Sequence, residues 1–202
     1  MKVGVLGAGA VGAYVGCLMQ QRSEDCEVVL VGRQRLEDQM TRGGAVLETV
    51  GTAHGRVTVD KENVTVTQDF AQLSGCDVVI VACKATGTTF AARQIAALAR
   101  AGGLPEGALV LSLQNGVANG SVLSSELEGT GVEVLPCMVN FNVVWTSYRD
   151  LAAPALHIRR CTPPKVGLPC IRIQNLRQPK HLVGEEEEEE EEEEERVEKE
   201  GI

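Results

Sequence analysis

A doubly wound α/β fold built on a mostly parallel sheet is what this sequence predicts, and three observations predict it. The first is a short apolar run, Val3-Gly4-Val5-Leu6, entering Gly7-Ala8-Gly9-Ala10-Val11-Gly12. That is a Gly-x-Gly-x-x-Gly spacing at the passage from a strand to a helix. The second is a set of short apolar runs at 27–31, 78–82 and 108–113, the mark of strands covered on both faces. The third is their alternation with helix-patterned segments, which is the rhythm of βαβ units. Together they describe a Rossmann-like domain, here with an added hairpin.

Each glycine of the opening turn has its own mechanical task. Gly7 allows the tight turn, Gly9 lets the backbone approach a pyrophosphate, and Gly12 lets helix and strand pack closely. Ala8, Ala10 and Val11 complete the loop, and residues 13–21 read as the helix whose N-terminal amides face the phosphates. A purely structural glycine turn is the alternative. The strand at 27–31 follows about twenty residues later and completes the first half-unit. Where an NAD-selective protein usually has Asp or Glu, this chain has Gly32-Arg33-Gln34-Arg35. A carboxylate there repels a 2′-phosphate, whereas a guanidinium binds it through paired, charge-assisted hydrogen bonds. NADP(H) is therefore the expected cofactor, the alternative being that both arginines are solvated loop charges.

Further along, 36–41 suggests a short helix. Alternation in 44–50 and 56–60 around a glycine-bounded loop reads as a β-hairpin. Residues 63–67 form another short strand that closes the first half of the sheet. The strand at 78–82 leads through Cys83-Lys84-Ala85 into a helix over 86–101, with Phe90, Ile95, Leu98 and Ala99 near one face. The strand at 108–113 ends at Gln114-Asn115-Gly116, a helix spans 121–127, a strand 132–136 and an extended segment 139–144. Residues 155–159 and 165–168 flank Thr162-Pro163-Pro164 as a final hairpin, whose prolines favour a sheet edge.

Composition bounds the rest. A chain of 202 residues holds one ordinary domain with little left for a second. At 44% hydrophobic but 3% aromatic, its core must consist of Val, Leu, Ala and Ile. The net charge of −9 is misleading, because removing the eleven glutamates of 185–195 leaves +2. The acidic balance thus belongs to a tail that repels itself and is expected to be disordered. No basic stripe suggests nucleic acid, and no apolar run approaches the ~18–20 residues of a membrane helix. Seven scattered cysteines without a C-x-x-C pair fit free thiols in a reducing compartment. With a strand starting at Lys2, there is no room for a leader, and a cytoplasmic location is expected. The organisation expected is a cofactor domain over 1–169, a linker over 170–184 and a disordered glutamate-rich tail over 185–202. His54, His157 and His181 fall in or near loops and edges and receive no role.

Ligands of open α/β sheets bind outside the carboxyl ends of the strands. The glycine turn, Arg33, Lys84 and Asn115 all fall at such ends. A surface lysine capping a strand and an Asn-Gly turn are the plain alternatives for the last two. Taken with Phe141-Asn142-Val143-Val144, these motifs in this order resemble the 2-dehydropantoate 2-reductase (ketopantoate reductase) family over residues 1–146, extending to about 168. The resemblance implies an oxidoreductase that reduces 2-dehydropantoate to pantoate with NADPH, on the route to pantothenate and coenzyme A. It implies that Gly7, Gly9 and Gly12 hold the pyrophosphate and Arg33 the 2′-phosphate. It puts Lys84 and Asn115 at the nicotinamide end, with Asn115 also touching substrate. The family's acid is a lysine on a C-terminal helical domain, and no counterpart follows Leu168 in this sequence. No catalytic residue is assigned, and the chain is expected to bind NADPH weakly and reduce 2-dehydropantoate poorly or not at all. A non-catalytic NADPH-binding or regulatory module, or a reductase of another 2-keto acid, is the alternative.

Overall fold

The computed structural model describes residues 1–23, 25–49, 55–116, 118–137, 139, 141–145 and 156–161. All lie in one compact unit, Met1–Pro164. In chain order the elements are β1 (Lys2–Leu6), α1 (Ala10–Arg22), β2 (Glu27–Val31), α2 (Gln34–Gly43), β3 (Ala45–Thr49), β4 (Gly55–Val59), β5 (Thr65–Thr67), β6 (Val78–Val81), α3 (Thr88–Arg100), β7 (Leu109–Ser112), α4 (Ala118–Glu126), β8 (Glu133–Pro136), β9 (Val143–Trp145) and β10 (Leu156–Arg160).

Six of these strands form a wholly parallel sheet in the order β5-β2-β1-β6-β7-β8. The chain builds outward from β1 through β2 to β5, then returns to β1's other side and builds through β6, β7 and β8. This is the doubly wound Rossmann-like order, and its direction reverses between β1 and β6. The continuous apolar runs are explained by burial on both faces. One face presents Leu6, Val29, Val31, Val79, Val81 and Val110 to Ala91, Ala92, Ile95 and Ala96 of α3 and Leu123 of α4. The other receives α1 so closely that a Cβ on Gly16 would lie 2.5 Å from Leu30 Cδ2 and 3.2 Å from Val5 Cγ2. Small residues on α1 and α3 set the helix–sheet distance, and the aliphatic sheet fills the layer.

Two helix expectations need adjustment. The first helix begins at Ala10 rather than at residue 13, because Gly9 is its N-cap and the glycine motif supplies its first turn. On α3 the buried set is Thr88, Ala91, Ala92, Ile95 and Ala96, while Phe90 is 56% exposed. Close approach to the sheet selects the alanine stripe. Phe90 is left at the border, edge-on to Phe70 with ring centroids 5.5 Å apart.

The remaining strands make a second sheet in the order β4-β3-β10-β9. β3 and β4 pair antiparallel, as the alternation around the glycine loop predicts. β10 corrects the sequence expectation. Rather than an edge strand, it is internal, parallel to β3 and antiparallel to β9. Leu156, His157 and Ile158 are all buried, which an edge strand could not provide. His157 therefore sits inside a sheet rather than in a loop or edge. The partner segment expected at 165–168 lies outside the described residues, as do His54, His181, the linker at 170–184 and the glutamate run. The second sheet is fixed to α1 through Phe141, whose ring lies 5.9 Å from that of Tyr14 and carries the Arg160 guanidinium at 5.3 Å.

The six described cysteines are free thiols; Cys17, Cys26 and Cys76 are buried. Burial pushes the Cys17 thiol up to about 12 and that of Cys76 up to about 11. Among the described residues, no helix is long and apolar enough to cross a membrane, and no cluster of His, Cys, Asp and Glu could hold a metal ion.

Candidate functional site

Because the six strands of the main sheet run one way, their carboxyl ends share one edge. The glycine turn, Gly32-Arg33, Cys83-Lys84 and Gln114-Asn115 directly follow β1, β2, β6 and β7 on that edge. Neighbouring loops there are in contact. Gly7 has φ +82°, and a Cβ on it would lie 2.5 Å from Cys83 Cβ and 2.6 Å from Cys83 N, so the turns after β1 and β6 touch backbone to backbone. The Gly7 and Ala8 amides both donate to the Val31 carbonyl at 3.0 Å, tying the turn to the end of β2. On Gly32 a Cβ would meet the Ala8 carbonyl oxygen at 3.4 Å.

The three motif glycines differ in what demands them. At Gly12 a Cβ would come 3.0 Å from both Val5 Cγ1 and Ala82 Cβ, so packing requires a hydrogen there, as positive φ and Cys83 require at Gly7. At Gly9 nothing among the described residues does. Its φ of −78° and ψ of −158° suit any residue, and the nearest atom to an added Cβ is Gly7 O at 3.9 Å. Gly9 is exposed at the head of α1. Beside it the amides of Ala10, Val11 and Gly12 open the helix with no intrahelical acceptor. The head of α1 thus offers backbone donors next to exposed space at Gly9, an arrangement suited to an anion.

Along the same edge stand polar side chains without partners among the described residues. Arg33 is exposed at the N-cap of α2 and, like Arg35, makes no side-chain hydrogen bond or ion pair among the described residues. The acids and amides next to them are engaged instead. Gln34 donates to Asp38 at 2.9 Å, and Gln68 donates to Gln34 at 2.6 Å and to Glu37 at 3.3 Å. Lys84 is exposed ahead of the single turn Ala85–Gly87 that leads into α3, and its ammonium is likewise unpaired among the described residues. Asn115 is exposed too; its carbonyl accepts from Asn119 Nδ2 at 2.7 Å, while its side-chain amide makes no hydrogen bond among the described residues.

Sequence reasoning missed what holds these loops. Ser112, Gln114, Thr88 and Asn119 are polar, yet 3%, 7%, 2% and 6% exposed. Ser112 Oγ donates to Gln114 Oε1 at 3.3 Å. Gln114 Nε2 donates to Thr88 Oγ1 at 2.7 Å and to the Cys83 carbonyl at 3.1 Å. Thr88 Oγ1 donates to Asn119 Oδ1 at 2.9 Å, and Asn119 passes the chain to the Asn115 carbonyl. The only sequence signal was a glutamine and a serine closing an apolar strand, where burial obliges polar groups to find partners. Cys83 is half-buried beside this chain, and burial holds its thiol above the ordinary range.

Residues 3–152 match the family described as Ketopantoate reductase PanE/ApbA. A 2-dehydropantoate 2-reductase of Halobacterium salinarum is 33% identical over 138 residues, 66% of this chain and 40% of that protein. A crystal structure of a PanE/ApbA family ketopantoate reductase from Ralstonia eutropha has a TM-score of 0.58 and 33% identity, over 80% of this chain and 47% of that one. Octopine dehydrogenase with NADH and L-arginine has a TM-score of 0.65 at 14% identity, over 81% of this chain and 40% of that one, a likeness of fold alone. The chain thus spans under half the length of these relatives.

Proposed function

The chain belongs to the ketopantoate reductase PanE/ApbA family, and on that premise we propose that residues 1–169 are the NADPH-binding part of a reductase of 2-dehydropantoate. Gly9 carries the reading. A glycine that its own fold does not need, at the head of a helix and beside free amides, is explained by a phosphate group lying against it. The Arg33 guanidinium, one loop away and without a competing partner among the described residues, binds the 2′-phosphate that distinguishes NADPH from NADH.

Bound NADPH supplies the hydride that reduces the keto carbon. Lys84 holds a ribose hydroxyl or the α-keto carboxylate by charge, and the Asn115 amide orients the nicotinamide or the keto oxygen. The alkoxide that forms needs a proton. The resemblance implies a lysine of a helical domain for that step, and the described residues include no counterpart. The free thiols among the described residues support a reducing, cytoplasmic setting. Calorimetric titration of the 202-residue chain with NADPH and NADH tests the cofactor reading. The expected result is binding of NADPH with NADH much weaker, and equal affinities or no binding overturn it. Adding 2-dehydropantoate while following nicotinamide absorbance then separates a competent reductase from a cofactor-binding module.

A further inference from the structure

We propose that Thr88, with Gln114 and Asn119, is a positioning residue that fixes the spacing of Lys84 and Asn115 at the nicotinamide end of the crevice. The inference rests on the cofactor reading above. Lys84 and Asn115 follow different strands and are both exposed, and among the described residues neither side chain makes a hydrogen bond or ion pair. Their loops are joined directly by Gln114 and a second time through the Thr88 hydroxyl. Gln114 Nε2 grips the carbonyl of Cys83, the residue before Lys84, at 3.1 Å and reaches Thr88 Oγ1 at 2.7 Å. Thr88 Oγ1 donates onward to Asn119 Oδ1 at 2.9 Å, and Asn119 Nδ2 donates to the Asn115 carbonyl at 2.7 Å.

The direction of every bond is fixed. The Asn115 carbonyl can only accept, so Asn119 must present its amide nitrogen there and its oxygen to Thr88. Thr88 must therefore donate to Asn119 and receive from Gln114, whose oxygen is left for Ser112. The four side chains are 2–7% exposed, so a wrong rotamer at any member strands a buried polar group. The chain spans β7, the turn after β6, the first residue of α3 and the start of α4. It sets the two loop tips without touching what they bind.

The test compares two ligands on the 202-residue chain. NADPH engages both ends of the crevice, whereas 2′,5′-ADP engages only the glycine turn and Arg33. Thr88→Val removes the hydroxyl, and Thr88→Ser restores it. The expected result for Thr88→Val is about tenfold weaker NADPH binding, the worth of one oriented hydrogen bond, with 2′,5′-ADP affinity unchanged. Thr88→Ser should bind both as wild type does. In a Lys84→Ala, Asn115→Ala background, Thr88→Val should change NADPH affinity little, because what it positions is gone. Gln114→Met, which keeps shape and loses the donors, repeats the comparison should Thr88→Val not fold. Equal losses for both ligands, or no loss for either, overturn the inference while the cofactor reading stands. Wild-type chain that binds neither ligand overturns both.

Discussion

Placing alanine at Gly9 separates what the fold needs from what a ligand needs. Among the described residues the new Cβ meets only Gly7 O at 3.9 Å, and the backbone angles already suit an L-residue. Removing a glycine from the unfolded chain stabilises by about 0.4–1 kcal/mol, which raises the melting temperature by about 1–4 °C in a domain of this size. Binding should move the other way. If a pyrophosphate lies against the head of α1, the methyl group takes space that the ligand needs, and the ligand loses at least one charge-assisted hydrogen bond. That is about 1.5–3 kcal/mol, or roughly 10- to 150-fold in affinity. Gly7→Ala is the control. Its φ of +82° costs about 1–2 kcal/mol for any L-residue. Contacts of 2.5–2.7 Å with Cys83 add to this by forcing β1 and β6 apart at their ends. Thermal melting and calorimetric titration with NADPH, run on both variants, should give a stable weak binder for Gly9→Ala and a destabilised protein for Gly7→Ala. A Gly9→Ala chain that titrates NADPH like wild type, or melts as low as Gly7→Ala, refutes the reasoning.

Arg33→Ala should weaken NADPH by roughly 10- to 100-fold and leave NADH within about twofold, since only the former loses a charge-assisted pair; parallel titrations decide it, and equal effects count against the phosphate role. Ile158→Ala empties a fully buried position in the middle of the second sheet and should cost about 2–5 kcal/mol in urea unfolding. A loss below about 1 kcal/mol would mean that β10 is not the integral strand described. Stability should also fall in alkali. The folded-state pKa values of Cys17 and Cys76 are raised, so the unfolded chain releases their protons first. Stability is complete below pH 9 and declines above it, up to about 11 for Cys76 and about 12 for Cys17. Each thiol contributes a slope of up to about 1.4 kcal/mol per pH unit. Urea midpoints at about pH 8 and about pH 10.5 measure the decline, and Cys17→Ala should shrink it.

The main sheet was legible because its signals are local. Strands buried on both faces announce themselves as apolar runs, and Glu27–Val31 and Val78–Val81 are read from sequence to within a residue. The chemistry-bearing residues at the strand ends were legible for the same reason, since parallel strands carry whatever follows them to one edge. What was hidden is long-range. β10 pairs in parallel with a strand more than a hundred residues earlier, and nothing in Leu156–Arg160 encodes that partner. Proximity suggested residues 165–168 instead. Phe90 was misplaced because apolar size was weighed above the small residues that let α3 lie close. The linkage of Gln114, Thr88 and Asn119 was not legible, because a network whose members are 26 and 31 positions apart has no periodicity.

The interior place of β10 also bears on how the protein is made. Glu48 emerges from the ribosome long before Arg159, its ion-pair partner 111 positions later at 2.9–3.0 Å. During that interval one side of β3 has unpaired backbone groups, with Val46 and Leu47 awaiting cover, the kind of open border that invites pairing with another chain. Late closure of a non-local parallel pair is slow. Nascent chains halted before residue 156 should thus be the most dependent on chaperones, although every strand of the cofactor sheet has by then been synthesised.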